Sequence, residues 1–172
     1  MFGMRLVFKL SIGAALVLLS GCFKSSVPLV VPAEADYPFQ TITYEFAGED
    51  DRVTLVGVGD SYEAPNEQGD GRLLLKKVDE GIFVLQAEIR DEDDPGFLYA
   101  LARLAQDGKT AEIILPYARK SDHLAAQRGE AGFRPCSDDD DSVCLTDMAK
   151  YVEYALAKKP DTKRLVNILH MQ

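Results

Sequence analysis

Phe83, Leu85, Ala87 and Ile89 alternate with Val84, Gln86, Glu88 and Arg90. Successive side chains of a strand point to opposite faces of a sheet, so an apolar row of period two marks a strand with one face on a core. The row predicts that Phe83, Leu85, Ala87 and Ile89 are buried together, with their four alternates on the other face. Further strands are legible upstream. Ile42, Tyr44 and Phe46 alternate with Thr41, Thr43 and Glu45, and residues 53–58 and 73–78 read as two more. Gly48-Glu49-Asp50-Asp51 and Asp79-Glu80-Gly81 are turn-rich, and residues 59–71 read as a polar loop with Pro65, Asn66, Gly69, Asp70 and Gly71. Residues 91–96 form an acidic turn.

Residues 97–106 carry Leu98, Leu101, Ala102 and Ala105 at helical spacing. Phe97 and Tyr99 favour a strand instead. Asp107-Gly108 is a hairpin signal leading straight into residues 110–115, so a strand is expected here. After Pro116 the character changes. Ser121 is placed to cap a short helix through Gln127, with Gly129 as its stop. Thr146 is placed to cap a longer one, with Met148, Val152, Ala155 and Leu156 on one face and Pro160 as its end. Leu165, Val166, Ile168 and Leu169 form a last apolar cluster, read as a short helix. The expected class is α+β: an antiparallel β-meander or partly closed, barrel-like sheet of about six strands, with C-terminal helices packed on it.

The N-terminus follows a different logic. Residues 1–9 carry Arg5 and Lys9 and no acid, and residues 10–19 are apolar except for Ser11. A positive start, a short apolar run and small residues at its end make a secretory signal. The run is short of the roughly 20 apolar residues of a membrane span. Leu19, Ser20, Gly21 and Cys22 resemble at all four positions the lipobox of bacterial lipoprotein precursors, a resemblance confined to residues 1–22. It implies cleavage just before Cys22 and a diacylglyceryl group on the Cys22 sulfur, joined by an N-acyl chain. Stable anchoring takes more than one chain, and this set would supply it. An Asp directly after the cysteine tends to retain such lipoproteins in the inner membrane. Phe23 stands there, so an outer-membrane site facing the periplasm is favoured over the inner membrane.

The chain then divides into a signal, 1–21, a lipidated N-terminus and tether, 22–36, and a single α+β domain, 37–172. Ser25, Ser26, Pro28 and Pro32 suit an extended tether. Fully stretched it reaches roughly 45 Å and would hold a domain clear of a bilayer. Val27, Leu29, Val30 and Val31 are apolar enough for part of it to pack as an edge strand.

Removing residues 1–21, with two basic residues and no acid, leaves 151 residues and moves the net charge from −9 to −11. That length suits one domain. The charge argues against nucleic acid, whose phosphates need a basic face, and keeps the domain soluble. With Cys22 taken by lipid, Cys136 and Cys144 are the remaining cysteines. In an oxidising compartment they are expected to bond to each other.

Chemistry-bearing motifs are sparse. There is no Gly-x-Ser-x-Gly elbow, His-Glu-x-x-His motif, phosphate loop or dinucleotide fingerprint. Ser121-Asp122-His123 has the residue types of a triad, but adjacent side chains point apart. Asp138, Asp139, Asp140 and Asp141 are the sharpest feature of the mature chain. Asp138, Asp140 and Ser142 are spaced like the start of an EF-hand, yet Val143 and Ala149 stand where its Gly and Glu belong. A solvated acidic loop is the expectation. No catalytic residue, metal or cofactor is expected. The function read from the sequence is a noncatalytic envelope lipoprotein, a protein-binding or assembly module whose partners are the membrane, through Cys22, and a protein, without nucleic acid. The alternative is an acidic inhibitor or immunity-type lipoprotein that neutralises a basic periplasmic enzyme.

Overall fold

The computed structural model describes residues 23–46, 52–64, 72–90, 95–114, 118–136, 142–157 and 164–171. Among the described residues, eleven strands follow one another as β1 (Phe23–Ser25), β2 (Thr41–Phe46), β3 (Arg52–Val58), β4 (Ser61–Glu63), β5 (Leu73–Asp79), β6 (Ile82–Ile89), β7 (Gly96–Leu104), β8 (Thr110–Ile114), β9 (Phe133–Pro135), β10 (Val143–Leu145) and β11 (Arg164–Met171). Helix α1 (Lys120–Gln127) lies between β8 and β9, and α2 (Met148–Ala157) between β10 and β11. The fold is therefore α+β, as the periodicity implied.

The sheet order is β6-β5-β4-β3-β2-β11-β8-β7-β1-β10-β9, and β6 also pairs with β7. That extra pairing curls the sheet on itself. It is not a plain closed barrel, because β4 and β5 meet at the single pair Tyr62↔Leu73 and β1, β10 and β9 branch away from β7. One edge of β7 is shared: Phe97, Leu98 and Tyr99 pair with β1, and residues 101–104 pair with β8. The pairing of β1 with β10 is parallel, so the sheet is mixed and not the expected antiparallel meander of six strands. Two of the additional strands lie where other structure was expected. Part of the polar loop is β4, whose Tyr62 is fully buried. The C-terminal cluster is β11, inserted between β2 and β8, and not a helix.

The alternating row found a strand but misjudged its faces. Ile82, Val84 and Gln86 are the buried side of β6, with Ala87, whereas Phe83, Leu85 and Ile89 are only half-buried. The reason is that both faces are covered. Inside the curl, Phe83 and Leu85 pack on Ile42, Leu55, Tyr62 and Leu75. On the outer face, Ile82 and Val84 join Tyr99, Leu101 and Ile114 beneath the helices and the N-terminal segment. A hydropathy row assumes one wet face, and β6 has none along most of its length.

The helices start on different residues from those expected. The Asp122 carboxylate, not Ser121, accepts the Arg119 N–H at 2.8 Å and closes the first turn of α1. Asp147, not Thr146, caps α2 by accepting the Lys150 N–H at 3.1 Å. Thr146 instead donates its hydroxyl to the Gly132 carbonyl at 2.9 Å. The buried positions of α2 are Tyr151 and Ala155, while Leu156 is exposed. The expected turns at 48–51 and 91–94 and the Pro160 stop lie outside the described residues.

Candidate functional site

The expected tether is part of the fold. Phe23 is 0% exposed and sits in the sheet between Tyr99 of β7 and Val143 of β10. Its ring lies 5.4 Å from that of Phe133 and 5.2 Å from that of Tyr151, centroid to centroid. Burying such a side chain contributes about 1.5–3 kcal/mol, which adds to the pairing of β1 on both edges. The seat depends on Gly96, where a Cβ would fall 2.9 Å from the Ser25 carbonyl oxygen.

From Ser26 the chain leaves β1 and passes over β7, β6 and β5. Buried Gln86 holds it in the middle. Its Oε1 accepts the N–H groups of Leu29 at 2.9 Å and Val30 at 2.8 Å, and its Nε2 donates to the Val30 carbonyl at 2.8 Å. Tyr99 donates to the same Oε1 at 2.9 Å and itself accepts from the Leu29 N–H at 3.0 Å. Burial pushes the Tyr99 phenol well above its ordinary value, so it remains a neutral donor. Further on, the Asp36 N–H reaches the Leu75 carbonyl at 2.7 Å, and the Asp36 carboxylate accepts the Lys77 N–H at 2.6 Å. Lys76 pairs with Glu34 at 2.8 Å, a largely exposed pair that adds little.

A second polar cluster joins the helices. Asp122, fully buried, accepts from Tyr154 at 2.6 Å and from Ser121 at 3.3 Å. The Tyr151 hydroxyl is buried with no hydrogen-bond partner among the described residues. Burial, and then the charge of Asp122, raise its phenol above the ordinary value. Ser121 is exposed, Asp122 buried and His123 half-buried, so these three do not converge as a triad. Asp122 ties α1 to α2.

Cys136 and Cys144 are bonded, with Cα atoms 5.0 Å apart. The bridge runs from the end of β9 to the middle of β10, the strand that flanks β1. Leu19, Ser20, Gly21 and Cys22 lie outside the described residues, as do the four aspartates 138–141. Among the described residues, no group of three or more His, Cys, Asp or Glu is arranged to hold a metal ion, and no helix is long and apolar enough to cross a membrane. Sequence reasoning missed Gln86, Tyr99 and Gly96. The available signal was Gln86 itself, an amide between the apolar residues Leu85 and Ala87, which must find partners when buried.

Comparison with protein-family models, with curated proteins and with solved structures finds no match.

Proposed function

We propose that this chain is a noncatalytic bacterial envelope lipoprotein, anchored by lipid on Cys22, whose domain is a protein-binding or assembly module. The observation that carries the reading is the Cys136–Cys144 bridge. It stands beside the lipobox-like Leu19, Ser20, Gly21 and Cys22 of the sequence. The Cys136–Cys144 bridge suits an oxidising compartment. An outer-membrane site facing the periplasm fits Phe23 after the cysteine.

The second reading, an acidic inhibitor or immunity-type lipoprotein acting on a basic periplasmic enzyme, is favoured by the mature charge of −11, which steers a basic partner and speeds its capture. Mass spectrometry of the mature N-terminus tests the anchor: an acylated Cys22 is expected, and an unacylated start elsewhere refutes it. Co-purification of envelope proteins at low and high salt separates the two functions. A basic hydrolase retained at low salt and lost at high salt supports the inhibitor, and a salt-resistant non-enzymatic partner supports the assembly module.

A further inference from the structure

We infer that the lipidated protein carries its domain directly on the bilayer, with the outer side of residues 26–31 against the lipid headgroups. This inference rests on the lipid attachment proposed for Cys22. One residue spans at most about 3.6 Å, and the residue after Cys22 is Phe23, 0% exposed and paired on both backbone edges. The following stretch gives no slack either, because Gln86 holds Val30 at two points and Leu75 holds Asp36. The acyl chains therefore start within one residue of the folded domain.

Residues 26–31, which follow β1 only four to nine residues after Cys22, have the right chemistry for the boundary. Val30 faces the core, while Val27 is 57% and Val31 42% exposed. Single exposed valines are ordinary on a protein surface. Here their place in the chain supplies the partner, because an anchor at Cys22 holds them at high effective concentration beside lipid. The headgroup–acyl boundary accepts apolar side chains. Charge gives no help: a domain of net charge −11 is repelled by an anionic leaflet. The contact thus follows from the covalent geometry, and the unlipidated domain has no affinity for the membrane.

The chain contains no tryptophan, so one placed at Val27 reports alone. Val58, exposed on β3, is the control, four strands from β7 in either direction round the sheet. Full-length Val27→Trp and Val58→Trp proteins, made in a bacterial host, are reconstituted into phosphatidylethanolamine–phosphatidylglycerol vesicles with brominated acyl chains. Mass spectrometry first establishes acylation of Cys22. The expected result is about a twofold loss of emission at position 27, within reach of the bromines at the boundary, and little loss at position 58. Inserting about fifteen Gly and Ser residues between Cys22 and Phe23, a reach of roughly 20 Å, should abolish the quenching. Cys22→Ser protein should not bind the vesicles. Acylated protein without quenching at position 27, or with quenching that survives the spacer, overturns the docking. The same holds if vesicle-bound protein loses amide protection at Lys24 and Ser25, which shows β1 released as a tether. An unacylated Cys22 refutes the anchor itself, and the docking with it.

Discussion

The side-chain amide of Gln86 closes a ring with the backbone of Val30: Oε1 accepts the N–H and Nε2 donates to the carbonyl, both at 2.8 Å. Residues 30 and 86 are brought together across the outer face of β6, where water is excluded. Gln86→Leu keeps the bulk but leaves both Val30 groups buried without partners. Each such group costs about 1–3 kcal/mol, so a loss of at least about 2 kcal/mol is expected in denaturant unfolding. Proteolysis within residues 26–36 should quicken well before global unfolding. A midpoint and cleavage rate equal to those of the parent would show that Gln86 does not pin the segment.

Gly96→Ala attacks the same seat from β7. The new Cβ meets the Ser25 carbonyl oxygen at 2.9 Å, a backbone atom that cannot rotate away. Overpacking of this kind costs about 1–3 kcal/mol. The expected signature is local: amide protection falls in β1 and at its partners Val143 and Cys144, while the β6–β7 ladder stays protected. Uniform loss across the sheet would point to a general defect of β7 instead.

These two residues show where the sequence stops being legible. Period two locates β2 and β6, apolar runs between turns locate β3 and β5, and β7 is legible only from Phe97, Tyr99 and the Asp107-Gly108 hairpin signal. Strands β1, β4, β9 and β10 have three residues each, too few to show a period. The C-terminal cluster 165–169 does not declare its state, because short apolar runs suit helix or strand, and its pairing with β2 and β8 is a long-range fact. The disulfide was legible because the cysteine count left one pairing. The clamp was not, because Gln86 acquires its partners only when residues 29 and 30 cross β6.

Tyr151 and Tyr154, three residues apart on α2, are expected to respond oppositely to loss of a hydroxyl. Tyr154 donates to buried Asp122 at 2.6 Å. Tyr154→Phe leaves that carboxylate short of a donor and should cost about 1–3 kcal/mol. The Tyr151 hydroxyl has no partner among the described residues, so Tyr151→Phe should be neutral or slightly stabilising. Paired denaturant curves decide it, and a clear loss for Tyr151→Phe would reveal a partner for its hydroxyl.

Alkaline pH should weaken the fold. Burial raises the phenols of Tyr99 and Tyr151 above their ordinary value of 10.0. The folded chain then keeps its protons where the unfolded chain has begun to lose them. Their contribution is complete below about pH 10 and is lost as pH climbs from there through the folded values. Stability should be flat between about pH 7 and 9 and fall above 10. The double variant Tyr99→Phe, Tyr151→Phe should show a shallower alkaline slope, and an unchanged slope would assign the fall to other groups.

The Cys136–Cys144 bridge closes a loop with a sequence separation of 8. By the chain-entropy model a loop of this size contributes about 2–3 kcal/mol. Position adds a local consequence. Cys144 is in β10, which pairs with Arg134 of β9 on one side and Lys24 of β1 on the other. Thr146, just beyond β10, donates both its N–H and its hydroxyl to the Gly132 carbonyl, holding the far end of the same hairpin. The bridge and Thr146 thus fasten the two ends of a β9–β10 unit against which Phe23 packs. Reduction, or Cys136→Ala with Cys144→Ala, should lower the unfolding free energy by about that amount and expose β1 amides to exchange first. The four aspartates 138–141 lie within the loop sequence, so calcium provides the counter-test. Melting is expected to be indifferent to calcium and chelator. A large upward shift with calcium, abolished by Asp140→Asn, would replace a structural loop with a cation site.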